Sequence, residues 1–299
     1  MKEIVLSNTD RAEALAHALP YVQQFQGKTV VIKYGGNAMI NEELKLTVIR
    51  DIILLSCVGI RVILVHGGGP EIEGMLRAVG KESCFVRGLR YTDEEAMEIV
   101  QMVLCGKVNK DITARIQQAG GRALGLSGID GGLFRARRFR PDGEDLGLVG
   151  EIESVDAGFL NTLLDSGVIP VVSPVALGTG EDAGCSFNTN ADSAAAKIAC
   201  AVKAEKLVLM TDVQGILRDL KDPGSLIKMI NRSEVAALEK AGVVTKGMIP
   251  KVDCCVLALD GGVSRAHIID GRLPHSLLVE FFTDEGIGTM IVKDDAKDE

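Results

Sequence analysis

Twice within the first 70 residues, a run of β-branched and aliphatic residues ends in a cluster of glycines. Val30-Val31-Ile32 passes through Lys33 into Gly35-Gly36, and Val62-Ile63-Leu64-Val65 passes into His66-Gly67-Gly68-Gly69-Pro70. Runs of this length and composition are short buried strands. Between them, Glu42 to Val58 places Leu44, Val48, Ile52 and Leu55 on one helical face, with Gly59 as its stop. Strand, helix and strand in this order form a βαβ unit, whose crossover is right-handed and whose strands are parallel. Glycines lack Cβ, so backbone N–H groups can converge on one small volume, and a helix starting just beyond adds the positive end of its dipole. Two such loops on successive strands predict one site shared by two anionic groups, with Lys33 delivered to its edge.

A chain of 299 residues with 46% hydrophobic content can bury one large α/β domain or two closely fused lobes. The seven cysteines are odd in number and form no C-x-x-C pair, which suggests neither a disulfide framework nor a zinc cage and points to a reducing cytoplasm. The first 20 residues hold no continuous apolar core of a signal peptide, and no later stretch approaches the roughly 18 apolar residues of a membrane span. A soluble, cytoplasmic protein is expected. With 33 basic against 41 acidic residues, the net charge of −8 argues against a nucleic-acid surface. Bound anions must be held by local donors working against that overall field.

Ahead of the first strand, Thr9 to Phe25 reads as a helix with Leu15, Leu19, Val22 and Phe25 on one face and a kink at Pro20. That stripe either packs on the body or meets another subunit. Thr92-Asp93-Glu94-Glu95 reads as a capping box opening a helix that carries Lys107, Lys110 and Arg115. From Ala123 to Ile152 the pattern turns to short alternating runs around Pro141-Asp142-Gly143, read as a hairpin insertion. Asp156 caps a helix to Asp165, and Val168 to Val172 returns to the sheet. Gly178 to Gly184 has the most loop-like composition and is the candidate lobe boundary. The second half repeats the alternation: an alanine-rich helix from Ser193 to Val202, a strand from Lys206 to Met210, a helix capped by Ser233, and strands at Arg265 to Ile269 and Thr289 to Val292. Ligands of such sheets gather beyond the carboxyl ends of the strands, where both glycine loops, Asp192, Thr211-Asp212 and Lys251 could meet.

Common phosphate and acyl-transfer motifs do not fit. A Walker A loop ending at Gly27-Lys28-Thr29 has Val22 where its first glycine belongs, neither glycine loop reads G-x-G-x-x-G, and His66-Gly67-Gly68-Gly69 has no G-x-S-x-G to supply a nucleophile. The four histidines are scattered, so no metal cluster is legible. Lysines from both halves, Lys33 and Lys251, with the acid Asp192, remain. Each alone has an ordinary explanation: a tight turn for Gly35-Gly36, a solvated charge for a lysine, a dipole-favoured acid for Asp192. Together they are the inventory of phosphoryl transfer by positioning and charge.

KYGGNAM, HGGGPEI, RGLRYT, FNTNADSAA, LMTDVQGIL and KGMIPKVD, in this order over nearly the whole chain, resemble the amino-acid kinase family and, within it, the acetylglutamate kinases. The resemblance implies an α/β fold, a three-layer αβα sandwich around a largely parallel sheet in two lobes. Residues 1–26 would form the N-terminal kinked helix used in oligomerisation, 27–183 the acyl-substrate lobe, and 184–299 the nucleotide lobe with a regulatory C-terminal segment. It implies transfer of the γ-phosphoryl of ATP, with Mg2+, to the side-chain carboxylate of N-acetyl-L-glutamate in arginine synthesis. Lys33 and Lys251 match the lysines that stabilise the transition state and Asp192 the acid that organises them. Gly35 and Gly36 match the phosphate loop, with Thr211 and Asp212 on the nucleotide side; Gly68, Gly69, Arg90 and Asn188 match the substrate contacts. A carboxylate nucleophile with a pKa of about 4.3 is already ionised at neutral pH, so no general base is needed. Magnesium would be held by nucleotide oxygens and water rather than by a protein cage. A substrate one methylene longer, acetylaminoadipate, is the close alternative, and a non-catalytic metabolite sensor on the same fold a remoter one.

The tail, from Ala266-His267 through Pro274-His275 and Glu280 to Gly286-Ile287-Gly288-Thr289, resembles the arginine-inhibited branch of that family. That likeness implies a ring-shaped homohexamer, a trimer of dimers linked by the N-terminal helices. It also implies an arginine site at Tyr21, His267, Glu280 and Gly288. Some relatives of this branch bind a nitrogen-signalling PII protein, a partner on which no residue of this sequence bears.

Overall fold

The computed structural model describes residues 7–86, 88–244 and 247–294, and only the backbone of residue 37. The sequence readings that fall on Arg87, on Thr245-Lys246 and on the two chain ends lie outside the described residues.

The strands, in chain order, are β1 (Thr29–Tyr34), β2 (Arg61–His66), β3 (Phe85–Val86), β4 (Leu89–Arg90), β5 (Ala123–Ser127), β6 (Phe134–Arg138), β7 (Gly150–Val155), β8 (Ile169–Ser173), β9 (Val175–Gly178), β10 (Ser186–Asn188), β11 (Lys206–Thr211), β12 (Met229–Asn231), β13 (Arg265–Asp270) and β14 (Thr289–Val292). Eight of them form one sheet in the order β12-β14-β13-β11-β1-β2-β8-β5. From β13 to β5 every pairing is parallel; β14 runs antiparallel to β13. The helices are α1 (Asn8–His17), α2 (Leu19–Phe25), α3 (Glu42–Cys57), α4 (Gly69–Ala78), α5 (Glu94–Gln101), α6 (Asn109–Gln118), α7 (Ala157–Asp165), α8 (Ala191–Ala201), α9 (Val235–Lys240), α10 (Ile249–Asp260) and α11 (Ser276–Phe282).

Side chains alternate across a strand, so a sheet buried on both faces needs apolar residues at every position. In β1, Val30 and Ile32 enter one core with α3, α4 and α6, while Val31 enters the other with α7, α8 and α10. Two apolar layers back to back make the three-layer α/β sandwich. Among the described residues, no helix is long and apolar enough to cross a membrane.

Several local readings need correction. The first helix is two helices: α1 closes at Ala18, and Pro20 falls in the first turn of α2, where its missing N–H costs nothing. The expected stripe divides there. Phe25 is buried edge-on against Phe281, whereas Leu15 is 77% and Leu19 54% exposed. Asp93, not Thr92, caps α5, because its carboxylate accepts from Ala96 N at 2.8 Å. That helix runs into a π-helical stretch, Met102–Val108, before α6. Ala123–Ser127 is a strand of the main sheet, so only β6 and β7 form the hairpin. Asn231, not Ser233, caps the helical segment before α9, in a box with Glu234. Apart from these corrections, Gly178 to Gly184 forms the turn between the antiparallel strands β9 and β10 of the smaller four-stranded sheet.

Candidate active site

The expected trio assembles at the carboxyl end of β1. Asn190 caps α8 by accepting from the N–H groups of Asp192 at 2.9 Å and Ser193 at 3.1 Å, which sets Asp192 in the first helical turn. There its carboxylate receives Lys251 Nζ at Oδ2 (2.7 Å) and meets Lys33 Nζ at Oδ1 (2.9 Å). The Lys251 contact is a hydrogen bond; the Lys33 contact is a charge contact that leaves Oδ1 without a well-formed hydrogen bond among the described residues. Lys33 comes from β1 and Lys251 from the first turn of α10 just after Pro250, so three elements far apart in sequence converge. Burial alone would raise the Asp192 carboxyl, but the two ammonium groups outweigh it and hold it at about 2. Two positive charges share one negative charge, leaving an excess of +1 directed at the site.

Two glycines stand beside this trio. A Cβ on Gly35 would lie 2.7 Å from Lys33 Nζ, so the bare backbone lets the lysine fold across its own loop. Gly36 has φ +72° and a Cβ there would sit 2.5 Å from the Asp212 carboxylate, which brings the loops after β1 and β11 into contact. Thr211 turns inward: its hydroxyl donates to Val213 O at 3.0 Å and accepts from Val213 N at 3.2 Å, shaping the loop that presents Asp212.

The second glycine loop floors an adjoining cavity of about 180 Å³, which Gly68, Gly69, Arg90 and Asn188 all line and which Ala191 connects to the trio. Gly68 caps α4, and a Cβ on it would lie 2.5 Å from Leu104 Cδ2 of the π-helical stretch. Arg90 is buried over the Phe85 ring at 4.6 Å; it donates to Glu73 at 2.9 Å and to Ser83 Oγ. Burial pulls the guanidinium pKa below its ordinary value, against the opposing pull of Glu73. Asn188 Nδ2 donates to Thr92 Oγ1 at 3.2 Å. Sequence reasoning missed Glu73, for which no local signal exists, and Asn190, which the asparagine ahead of the alanine-rich helix does signal.

The model of the amino acid kinase family matches residues 28–270. An acetylglutamate kinase from Heliobacterium modesticaldum is 54% identical over 298 residues, covering 97% of this chain and 100% of that protein. The chain belongs to the amino acid kinase family, among its acetylglutamate kinases. It is therefore a kinase. Among solved structures, the N-acetylglutamate synthase from Neisseria gonorrhoeae complexed with coenzyme A and L-arginine aligns with a TM-score of 0.78 at 31% identity, covering 95% of this chain; the chain spans only 65% of that synthase. A carbamate kinase from Giardia lamblia bound to AMP-PNP, 19% identical, aligns over 90% of this chain and 99% of its own with a TM-score of 0.64, a likeness of fold.

In this kinase a second pocket, of about 410 Å³, lies on the other side of β11 and β13, and Tyr21, His267, Glu280 and Gly288 all line it. His267 Nδ1 meets Glu280 Oε1 at 2.6 Å, and Lys206 Nζ reaches the same oxygen at 3.7 Å. Lys206 also lies over the rings of Phe25 and Phe281. Burial lowers the pKa of His267, partly offset by Glu280, and lowers that of Lys206. Burial would raise Glu280, but His267 and Lys206 bring it below its ordinary value. Tyr21 donates its hydroxyl to Asp284, and a Cβ on Gly288 would lie 2.1 Å from Ile268 O.

Proposed function

We propose that this kinase transfers the γ-phosphoryl group of ATP to the side-chain carboxylate of N-acetyl-L-glutamate, forming an acyl phosphate in arginine biosynthesis. The observation that carries the reading is the Lys33–Asp192–Lys251 trio beside the cavity floored by Gly68 and Gly69. The acceptor carboxylate is ionised at neutral pH, so the protein has to position two anions and offset their repulsion. Lys33 and Lys251 do this with their excess charge, and Asp192 holds both ammonium groups at one point. Arg90 grips a substrate carboxylate through its planar fork, aided by the N–H groups of Gly68 and Gly69 and by Asn188. Gly35, Gly36, Thr211 and Asp212 form the nucleotide side. The described residues hold no group of three or more His, Cys, Asp or Glu side chains arranged for a metal ion. Magnesium arriving with ATP fits phosphate oxygens and water, where it would neutralise phosphate charge.

In the same reading, residues 27–183 take the acyl substrate and 184–299 the nucleotide, and the pocket at Tyr21, His267, Glu280 and Gly288 takes arginine as an inhibitor. Its mixture of acids and bases suits a zwitterion with a cationic side chain. The exposed Leu15 and Leu19 would join neighbouring subunits of a hexamer through residues 1–26.

The test is ATP-dependent formation of an acyl phosphate, trapped with hydroxylamine, on N-acetyl-L-glutamate and on acetylaminoadipate side by side. Faster turnover of the shorter acid is expected. Preference for the longer one, or ADP release with neither, overturns the substrate assignment.

A further inference from the structure

Among the buried titratable groups to which the phosphoryl-transfer reading gives no role is His66, the last residue of β2, fully buried beneath the second glycine loop. Its Nδ1 lies 2.7 Å from the carbonyl oxygen of Gly67, and its Nε2 lies 3.1 Å from Asn109 Nδ2. The orientation of the Asn109 amide follows from its other contacts. Nδ2 also faces two carbonyl oxygens, Leu126 O at 3.1 Å and Val171 O at 2.8 Å, while Oδ1 accepts from Lys110 Nζ at 3.2 Å. Those two carbonyls can take both amide hydrogens, and the amide nitrogen cannot accept, so an Nε2–H would face it without a partner and Nε2 is the unprotonated nitrogen. At the other end, a carbonyl oxygen 2.7 Å from Nδ1 requires a proton there. Both ends select the Nδ1–H tautomer, and burial, which drives the histidine pKa down to about 4, keeps it uncharged.

The consequence for the loop follows from peptide planarity. In a trans peptide the C=O and the N–H of one unit point in opposite directions. Fixing the Gly67 carbonyl toward the imidazole turns the Gly68 N–H away from it, and among the described residues that N–H donates to no backbone carbonyl. On the near side, Gly67 N donates to Tyr34 O at 2.9 Å, tying this loop to the end of β1 just before Gly35. Asn109 anchors the assembly to β5 and β8, an approach that Gly125 permits, since a Cβ there would lie 2.1 Å from Asn109 Oδ1.

We propose that His66, held in its Nδ1–H tautomer by Asn109, is a positioning residue that locks the Gly67–Gly68 peptide so that the Gly68 N–H faces the anion in the adjoining cavity. This rests on the reading of that cavity as the acyl-substrate site. His66 touches no reacting atom; it acts through the loop.

Two variants of the full-length enzyme separate positioning from mere packing. His66→Asn keeps an N–H near the Nδ1 position, whereas His66→Leu keeps bulk and removes the donor. His66→Leu is expected to lower kcat/KM for the acyl substrate roughly 10²-fold, the scale of a misplaced contact, with the KM for ATP changing by less than about twofold. His66→Asn should recover activity to within about tenfold of the unaltered enzyme. Equal losses in both variants, with the KM for ATP rising in step, or wild-type kinetics in His66→Leu, overturn the proposal. Should His66→Leu fail to fold, ¹⁵N spectra of the unaltered enzyme decide. A neutral Nδ1–H signature constant from about pH 6 to 8 upholds the proposal, and an Nε2–H tautomer or an imidazolium overturns it. An unaltered enzyme inactive on N-acetylglutamate that still shows this tautomer would count against the substrate reading and not against the His66 tautomer.

Discussion

Among the described residues, two clusters join lysine to a buried carboxylate, and their difference in charge balance separates their chemistry. Around Asp192, two ammonium groups share one carboxylate and bare glycine backbone stands beside them. Around Glu280, one ammonium and a histidine whose pKa burial lowers share one carboxylate, with phenylalanine rings closing over the lysine. The first cluster carries a surplus positive charge that a phosphoryl group can use. The second is nearly balanced, so its internal pairing holds α11 against β11 and β13. A surplus is suited to offsetting charge that builds in a transition state; a balanced pair is suited to joining elements.

The comparison breaks most severely at Lys251. Lys251→Met removes the surplus, and kcat should fall by roughly 10²–10³ with little change in the KM of either substrate. Steady-state kinetics check this, and an unchanged kcat would remove Lys251 from the transition state.

Glu280→Gln breaks the second cluster instead. It leaves Lys206 buried without its carboxylate, a loss of about 3 kcal/mol in stability, while kcat without arginine stays near that of the unaltered enzyme. Denaturant unfolding and activity on the same sample would show the split; a variant as stable as its parent would mean that the pair contributes little.

A smaller effect is expected at Arg90→Lys, which replaces a planar fork by a point charge. The KM for the acyl substrate should rise about tenfold and kcat should hold. A fall confined to kcat would move Arg90 from binding to chemistry.

Mild acid gives the finest separation. Asp192 has a folded pKa near 2 against an ordinary 3.8, so its stabilisation is present above the ordinary value and is lost only as pH falls through about 2. His267 has a folded pKa below its ordinary 6.5, so the unfolded chain takes up the proton first and stability is lost as pH falls from 6.5 downward. Between about pH 7 and 5, the melting temperature should drop with a component that His267→Asn removes and Asp192→Asn leaves in place. Identical slopes in all three proteins would contradict the placement of His267.

What the letters determined is what local rules can see. The runs ending at Lys33 and His66 specify strands because β-branched residues favour them, and glycines after each run specify loops open to an anion. Gly59 closes α3, as a residue at positive φ should. The expected site residues near one another in space were legible through resemblance, since no pattern within 12 residues links Lys33, Asp192 and Lys251. What local rules cannot see, the tertiary structure decided. Leu15, Leu19 and Phe25 share one sequence pattern, yet Phe25 alone is buried, because Phe281 and Lys206 arrive from far along the chain. Thr92 and Asp93 are both good caps, and the geometry at Ala96 chose Asp93. His66 reads as one letter of a glycine loop; its protonation depends on Asn109, 43 residues away, because a buried imidazole takes its tautomer from whichever partners the fold brings to its two nitrogens.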